Sequence, residues 1–469
     1  RIAPPGEAFN YSNFGITLAA HLVESVTGQS YMNYVEEHLF RPLEMLPDGF
    51  AQPLDDRKKE HLAYTYQWTG NNYVASQWRD AASQVYPAGA YATTAPDMAK
   101  FMMMHLQYGR YKNKQILQES TARVMQQPHY AAHPGLYQQQ AFAFHLRKYK
   151  GQQLVWHTGR VDMFSAQLVL VPKLNLGLFV VSNADSGGEM RNDVVDILAE
   201  HLFPAYKPQE RDDIVSMPDH KLQPLCGAYR QVRHVRDSFT KLGFLGREIY
   251  FSQDNEGGLY ETGVFNTSEA IHWKATKNKE PVLFTSIDDG EPLNLVFHQG
   301  ADGARYASMD RKNFTVLTCY ERLNWYEQTR IQLLVAGICL LLFLSSIALH
   351  IWEHFPRYGK QIVMDTEWGH LAGHLSFLTS FLFVLFGVGL AVVLLLTDMY
   401  IFAFGTPWRI KMLLALPWLA AFVAVFSGVV LVKAFLAAPR QNRLRHGYYI
   451  LILLASIIFL LQLHYWRLF

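Results

Sequence analysis

The sequence predicts a protein of three parts: an α/β (α+β) domain with an antiparallel sheet, a small antiparallel β-domain, and a region of four transmembrane helices. Residues 1–206 mix helical apolar spacing with short β-rich runs, which is typical of a mixed α/β domain. Residues 219–325 hold short strand-like runs between Gly, Asn and Asp turns, which predicts a meander or barrel. Residues 331–469 hold four apolar runs long enough to span hydrocarbon.

Composition and charge narrow the class of protein. Of the 469 residues, 17% are charged, against roughly 25% in soluble domains, and the last third carries most of the apolar excess. The net charge of +2 gives no indication of a nucleic-acid partner, and we expect none. Three cysteines are too few for a disulfide scaffold. A bridge between Cys226 and Cys319 stays open if the middle region lies in an oxidising compartment.

The first domain begins with two predicted helices. Residues Phe14–Val26 have helical apolar spacing and end at Gly28, a common helix C-terminal residue. Ser30 is suited to cap a second helix over Tyr31–Phe40, which must end before Pro42.

Later segments predict one more capped helix, a set of strands and a linker. Thr94, followed three residues later by Asp97, has the form of a capping box and predicts a helix over Met98–Leu106. The β-rich runs predict adjacent antiparallel strands, over Leu154–Trp156, Ser165–Val171 and Gly177–Ser182. A final helix is expected over Asp193–Leu202, and the Pro-bearing stretch Pro204–Pro218 is the natural linker to the β-domain.

The last third predicts a multi-pass membrane region. The apolar runs are Leu333–Trp352, Leu371–Thr397, Met412–Leu436 and Tyr448–Trp466, with Trp and Tyr near their ends. Basic residues concentrate in the first and third connecting loops, at Arg357, Lys360, Lys433, Arg440, Arg443 and Arg445. The positive-inside rule therefore places these loops in the cytoplasm and both preceding domains outside it. Arg409 and Lys411, at the edge of the second loop, favour the opposite orientation.

Three short motifs in the first domain carry the functional signal, and a matching helix end over Leu39–Met45 lies between the first and the second of them. The segment from Pro4 to Gly15 contains Tyr11-Ser12-Asn13 after a Pro-Gly turn, and Pro87–Ala99 contains a Gly loop before a helix. His157-Thr158-Gly159 follows on a predicted strand. In this order the motifs resemble those of the serine β-lactamase and penicillin-binding-protein family (class C β-lactamase-related), which includes D-alanyl-D-alanine peptidases and esterases.

The resemblance implies catalysis through a serine acyl-enzyme, with no cofactor and no metal. Tyr11 would shuttle the proton, provided that nearby positive charge lowers the pKa of its phenol, and Asn13 would donate its amide to a substrate carbonyl. His157 would orient Tyr11 and a substrate carboxylate by hydrogen bonding or charge. The simpler interpretations are a loop tyrosine packed on a helix, an N-cap asparagine and a strand-end histidine.

The resemblance also assigns the strand edge to the substrate. Thr158 and Gly159 would line the site, and the absence of a side chain on Gly159 would let substrate approach the backbone. The backbone N–H of Arg160 would be one oxyanion donor.

Two departures from the family pattern stand out. Met163 occupies a position where the family often has Gly, which weakens any specific substrate assignment. The nucleophile motif Ser-x-x-Lys should precede Tyr-x-Asn by many tens of residues, yet only ten residues precede Tyr11. We therefore expect a C-terminal fragment that lacks its nucleophile and is inactive alone. The literal match Ser238-Phe239-Thr240-Lys241 lies in the β-rich region and is interpreted as chance.

Three functions are compatible with this sequence. The first is a membrane-anchored serine hydrolase acting on an amide or ester, with D-amino-acid peptides, β-lactams and small esters as candidate substrates. The alternative is a non-catalytic binder or sensor of cell-wall peptide, coupled to the membrane domain. A transporter subunit is disfavoured, because the apolar runs carry few charges.

Overall fold

The computed structural model forms two compact units, Arg1–Arg233 with Ile249–Arg322 and His234–Glu248 with Leu323–Phe469. The residues that the structure describes are 3–47, 49–50, 60–76, 83–161, 163–206, 213–264, 270–277, 282–287, 292–312, 314–315, 317–354, 366–397, 406–437 and 443–469.

The first part of the chain forms short and long helices around an antiparallel sheet. Its helices are α1 (Asn13–Thr27), α2 (Tyr31–Val35, continued by a π-helical turn over Glu36–Phe40), α3 (Ala95–Leu106), α4 (Glu119–Met125) and α5 (Gly187–Leu202). Its strands are β1 (Thr65–Trp68), β2 (Tyr73–Ser76), β3 (Arg110–Tyr111), β4 (Lys114–Gln115), β5 (Gln138–Gln140), β6 (His145–Tyr149), β7 (Gln152–Val161), β8 (Phe164–Val171) and β9 (Leu176–Ser182).

The sheet separates two apolar layers. Strands β5 to β9 pair in sequence order, each antiparallel to the next. Val155 packs in a cluster with Met102 of α3, whereas its neighbours Leu154 and Trp156 pack in a cluster with Val195 of α5. Because successive strand residues point to opposite faces, the two helices cover opposite faces of the sheet.

The predicted helices and strands are found, with longer bounds at several ends. The α3 helix begins at Ala95, three residues before the prediction, and the Thr94 hydroxyl accepts from the Asp97 N–H as expected of a cap. The α5 helix begins at Gly187 instead of Asp193, because its first turn is polar and carries no apolar periodicity. Gly28 ends α1 with a φ of +70°, the left-handed conformation that favours glycine.

The middle region is a closed β-barrel. The described residues form eight barrel strands, β11 (Gly227–Gln231), β12 (Glu248–Gln253), β13 (Leu259–Gly263), β14 (Ile271–Thr276), β15 (Leu283–Ser286), β16 (Asn294–Gln299), β17 (Arg305–Met309) and β18 (Thr318–Arg322). They close through the β14–β15 pairing, and fully buried Trp273, Phe284 and Leu295 fill the interior. A two-residue strand β10, Ile214–Val215, adds to β14 from within the predicted linker. A short helix α6 (Asp219–Leu222) precedes β11.

One carboxylate joins the first sheet to the barrel. Asp310, which is 2% exposed, accepts backbone N–H bonds from Tyr137 at 3.0 Å and Gln138 at 2.8 Å. It also accepts the Asn294 N–H of β16 at 3.1 Å. Three donors from two sheets therefore converge on a single buried side chain.

The open possibility of a Cys226–Cys319 bridge is wrong, because both thiols are free. Cys319 is buried in a small cluster with Val232 and Tyr306, while Cys226 packs against the barrel core around Tyr229. The two side chains thus belong to different apolar clusters.

The second unit contains the helices α7 (Thr329–His354), α8 (Glu367–Leu396), α9 (Trp408–Leu413), α10 (Ala415–Ala437) and α11 (Arg443–Tyr465). Within the part of the chain that the structure describes, four spans are long and apolar enough to cross a membrane: Thr329–Glu353, Glu367–Leu396, Trp408–Ala437 and Arg443–Tyr465. The predicted apolar runs lie within them, apart from terminal residues. Most of the connecting loops that set the predicted orientation lie outside the described residues.

The Ser238-x-x-Lys241 match has a structural role in this unit. Phe239 is buried with Phe343 and Phe383 of the apolar helices. The Lys241 ammonium donates to the Tyr465 carbonyl at 2.8 Å, and the Ser238 hydroxyl bonds to the Thr240 hydroxyl at 2.6 Å. This lysine stabilises the contact of its segment with α11, which agrees with the interpretation of the motif as a chance match.

Candidate active site

Tyr11 is held at the start of α1. The neighbouring Ser12 caps the helix, its hydroxyl accepting the Gly15 N–H at 3.0 Å. The interpretation of Asn13 as the N-cap is therefore wrong; Asn13 is the first helical residue, and its side chain is exposed. Its amide is left available to a ligand.

The Tyr11 ring meets two histidines at the edge of the sheet. Its centroid lies 6.1 Å from that of His157 in β7 and 6.0 Å from that of His145, the first residue of β6. The imidazole rings stack on each other, 5.1 Å apart and inclined by 13°. The Nδ1 of His145 bonds to Gln140 Oε1 at 2.6 Å, which fixes the orientation of that ring. The structure thus brings the first and third motifs together, as the sequence predicts.

A cation from the barrel completes this cluster. Arg233, two residues after β11, places its guanidinium carbon 4.6 Å from the Tyr11 ring centroid. Both residues line a cavity of about 100 Å³ together with Phe9, Gln231, Thr315, Leu317 and Cys319. The barrel therefore contributes directly to the surroundings of Tyr11.

Burial and charge set the protonation states of the cluster. Burial raises the pKa of Tyr11, and the positive charge of Arg233 opposes this rise. Burial lowers the pKa of His157, and burial with the charges of His157 and Arg233 lowers the pKa of His145 to about 3. Burial therefore favours the neutral form of both imidazoles, and this direction favours hydrogen bonding over charge as the role of His157.

The strand edge after His157 is open to solvent. Thr158 is half-buried, while Gly159 and Arg160 are exposed on β7 opposite Ala166 and Ser165 of β8. A Cβ added to Gly159 would lie 3.9 Å from the Ala166 Cβ, an ordinary contact. The fold itself therefore does not require glycine at this position, and the requirement, if there is one, comes from a ligand.

Arg191 of α5 supports this edge from within the same unit. Its Nη1 donates to the Ala166 carbonyl at 3.1 Å and approaches the Gly159 carbonyl at 3.5 Å. The guanidinium thereby connects two paired strands just beside the predicted oxyanion position.

The Gly loop also reaches this end of β7. A 3-10 helix over Ser83–Ala88 leads into the loop, and a Cβ at Gly89 would lie 3.8 Å from Val161 Cγ2. All three motif segments thus meet at one end of the sheet.

Sequence reasoning missed His145, Arg191 and Arg233. His145 directly follows the apolar run Ala141–Phe144, and a histidine beside such a run was the available signal. Arg233 ends the Gly227–Arg233 segment at the start of the barrel, but spacing alone does not show that it reaches Tyr11. Arg191 lies in a helix turn whose sequence resembles any solvated face.

Among the described residues, no group of three His, Cys, Asp or Glu side chains is arranged to hold a metal ion.

Comparisons with known proteins support the family resemblance of the first domain. Residues 1–202 match the family model described as Beta-lactamase. Protein flp of Staphylococcus aureus (strain MW2) is 29% identical over 201 residues, which cover 42% of this chain and 36% of that protein. Unguisins hydrolase ungD' of Aspergillus campestris (strain IBT 28561) is 28% identical over 197 residues, 40% of this chain and 35% of that protein. The chain thus spans about a third of the length of these curated relatives.

Among solved structures, the crystal structure of SurE aligns with a TM-score of 0.45 and 20% identity, covering 69% of this chain and 70% of that one.

Proposed function

We propose that the protein is a membrane-anchored serine hydrolase, because residues 1–202 match the family model described as Beta-lactamase. It acts through an acyl-enzyme on an amide or ester. The observation that carries the proposal is that the ring centroids of Tyr11 and His157 lie 6.1 Å apart. This contact brings together two family motifs that are far apart in the sequence.

The proposed chemistry assigns one role to each motif. A serine Oγ of the Ser-x-x-Lys motif that the family resemblance implies attacks the substrate carbonyl carbon and gives its proton to the Tyr11 phenolate. Tyr11 then returns this proton to the leaving amine or alcohol, and water hydrolyses the resulting ester. Neutral His157 hydrogen-bonds within the site, and the Arg160 N–H serves as an oxyanion donor.

Burial outweighs the charge of Arg233 in setting the pKa of Tyr11, so the proposed chemistry requires a second cation. Burial raises the pKa of Tyr11, so a phenolate at neutral pH needs nearby positive charge. Arg233 supplies one such charge 4.6 Å from the ring, and the expected lysine of Ser-x-x-Lys would supply a second. Asn13 is proposed to bind the substrate carbonyl, and Thr158 to line the site beside it. Gly159 is proposed to leave room for the substrate.

The apolar helices are proposed to anchor this hydrolase in a cell membrane, with the hydrolase and barrel domains on the extracytoplasmic side. Four spans of sufficient length support the anchor, and the basic loops of the sequence support the orientation. A cysteine placed at exposed Asn13 should react with an impermeant maleimide added to intact cells. Reaction only after lysis would contradict the orientation.

Covalent labelling tests the hydrolase proposal. A form of the protein that contains the implied Ser-x-x-Lys motif should form a stable adduct with a fluorescent fluorophosphonate, and Ser→Ala at that motif should abolish the adduct. Tyr11→Phe should slow labelling by about a hundredfold or more, within the usual contribution of general acid–base catalysis. Tyr64→Phe, which changes an exposed tyrosine in the same domain, should label at the parent rate.

The same experiment separates the hydrolase from the sensor. An adduct whose rate is unchanged by Tyr11→Phe would overturn the catalytic assignment of Tyr11. The absence of any adduct, together with reversible binding of a D-alanyl-D-alanine peptide, would replace the hydrolase by a non-catalytic cell-wall-peptide binder. Slower formation of the adduct in the presence of a β-lactam or of a small ester would identify the substrate class.

A further inference from the structure

A second and larger cleft lies at the hairpin end of β6 and β7. Its volume is about 640 Å³, within the range of small-molecule sites. Gln152 at this end of β7 is five residues from His157, which separates the cleft from the Tyr11 cluster by roughly 17 Å along the strand. Lys150 and Gly151 form the two-residue turn of the hairpin, both with positive φ, and Gly151 packs against the Tyr206 ring.

The cleft is cationic. Its lining includes four basic side chains and no carboxylate; the basic residues are Arg123, Lys148, Lys150 and Lys173. Arg123 pairs with Glu119 at 2.7 Å and Lys150 with Glu200 at 3.2 Å, but both acids lie outside the lining. Lys148 and Lys173 are exposed and form no ion pair with any residue that the structure describes. Such an arrangement favours an anionic ligand.

The cleft also presents unsatisfied acceptors. Gln152 is 7% exposed, and its Oε1 is buried with no hydrogen-bond partner among the described residues. Gln126 donates its amide to the His105 carbonyl at 2.9 Å, so its orientation is fixed, and its Oε1 is likewise buried and unpartnered. A buried acceptor without a donor costs about 1–3 kcal/mol, which a ligand hydroxyl would recover. The ligand should therefore carry hydroxyl donors as well as negative charge.

Aromatic rings complete the lining, at Tyr108, Tyr137, Tyr149 and Tyr206. Arg123 stacks over Tyr108 with its guanidinium carbon 3.6 Å from the ring centroid, which keeps that cation in place at the cleft. Tyr206 is 40% exposed and offers an apolar face to a ligand ring. Flat apolar faces beside amides and cations suit a sugar ring that carries an acidic group.

We propose that this cleft binds an anionic saccharide, a sugar bearing carboxylate or phosphate groups, at a site distinct from the Tyr11 cluster. Lys148 and Lys173 bind the acidic group, Gln126 and Gln152 accept from sugar hydroxyls, and Tyr206 packs on a ring. The inference does not rest on the proposed hydrolase activity, because none of these residues belongs to the Tyr11 cluster.

Calorimetric titration of the full chain in detergent tests the proposal. The probes are trigalacturonic acid, its uncharged methyl ester, and glucose 6-phosphate. At least one acidic probe should bind about tenfold or more tightly than the methyl ester, as expected for a charge-assisted hydrogen bond. Preference for trigalacturonic acid identifies a carboxylate-bearing sugar and preference for glucose 6-phosphate a phosphate-bearing one. Equal binding of all three, or none, overturns the proposal.

Two variants locate the binding. Lys148→Glu combined with Lys173→Glu changes only exposed side chains and should reduce affinity for the acidic probe by about tenfold or more. Gln152→Leu should weaken the acidic probe and the methyl ester alike, because it removes an acceptor for hydroxyls. Lys114→Glu, an exposed cation outside the lining, is the matched control and should bind as the parent does. An equal loss in the control would show general charge attraction and overturn the site.

Discussion

The guanidinium of Arg233 lies over the ring of Tyr11, 4.6 Å from its centroid, although the two residues belong to the barrel and to the helical domain. A cation over an aromatic face is attracted by the ring and stabilises negative charge on a phenol oxygen. The barrel is therefore part of the electrostatic environment of the candidate active site and does not act merely as a spacer.

Removing this charge should move the pH dependence of catalysis. In a chain that carries Ser-x-x-Lys, Arg233→Gln should raise the pKa of Tyr11 further, because the opposing charge is lost. A rise of about one unit would slow labelling roughly tenfold at pH 7 and shift the profile to higher pH. Arg233→Lys should restore much of the rate, since it retains the charge. The measurement is the fluorophosphonate labelling rate between pH 6 and pH 10.

Arg110→Gln is the control for that series, as it removes an exposed arginine from a different strand. A pH profile that is identical in parent and Arg233→Gln would show that the contact is structural only.

Gly159 provides a test of substrate approach that is separate from stability. Gly159→Ala meets only an ordinary contact with Ala166, so the thermal midpoint should change little. Its methyl group should nevertheless obstruct a substrate lying on the strand edge and lower the labelling rate by about tenfold or more. Gly188→Ala is the control, because a Cβ at Gly188 would have no neighbour within 4 Å. This variant should keep the parental thermal midpoint and labelling rate. A large loss of stability in Gly159→Ala, or an unaffected rate, would contradict this assignment.

The sequence predicted the helix and the motif residues of this site, but not the contacts between distant parts of the chain. Tyr11 and His157 were recognised because their neighbours follow a motif order, and the α1 helix was predicted from its apolar spacing and Gly28. Arg233 was not, because its approach to Tyr11 depends on how the barrel packs against the sheet, a long-range relationship that local patterns do not encode. The alternative interpretation of Asn13 placed the N-cap one residue after Ser12, because both residue types cap well and adjacent positions compete.

Asp310 should be essential for the joining of the sheet to the barrel. Asp310→Asn replaces an acceptor oxygen by an amide donor facing backbone N–H groups of Tyr137, Gln138 or Asn294. Leaving even one of these buried donors unsatisfied should cost about 1–3 kcal/mol of unfolding free energy. Chemical denaturation of the full chain in detergent measures it. Asp302→Asn, at an exposed turn of the barrel, should cost much less, and equal losses would argue against the proposed role.

His145 should make the folded state sensitive to acid. Its pKa in the folded protein is about 3, against an ordinary value of 6.5, because burial and the charges of His157 and Arg233 disfavour the protonated ring. As the pH falls below 6.5, the unfolded chain binds this proton first, so the free energy of unfolding decreases until the pH reaches the folded pKa. The slope from one such group is at most about 1.4 kcal/mol per pH unit.

Burial also lowers the pKa of His105, to about 4, so that this histidine contributes a similar slope. The contribution of His145 is therefore isolated by comparing variants. His145→Gln should show a shallower fall in unfolding free energy between pH 6.5 and pH 3.5 than the parent, whatever its stability at pH 7. His220→Gln, which changes an exposed histidine, should keep the parental slope. If the slopes of parent and His145→Gln coincide, then His145 is protonated in the folded protein, and the neutral stacked pair beside Tyr11 does not exist at that pH.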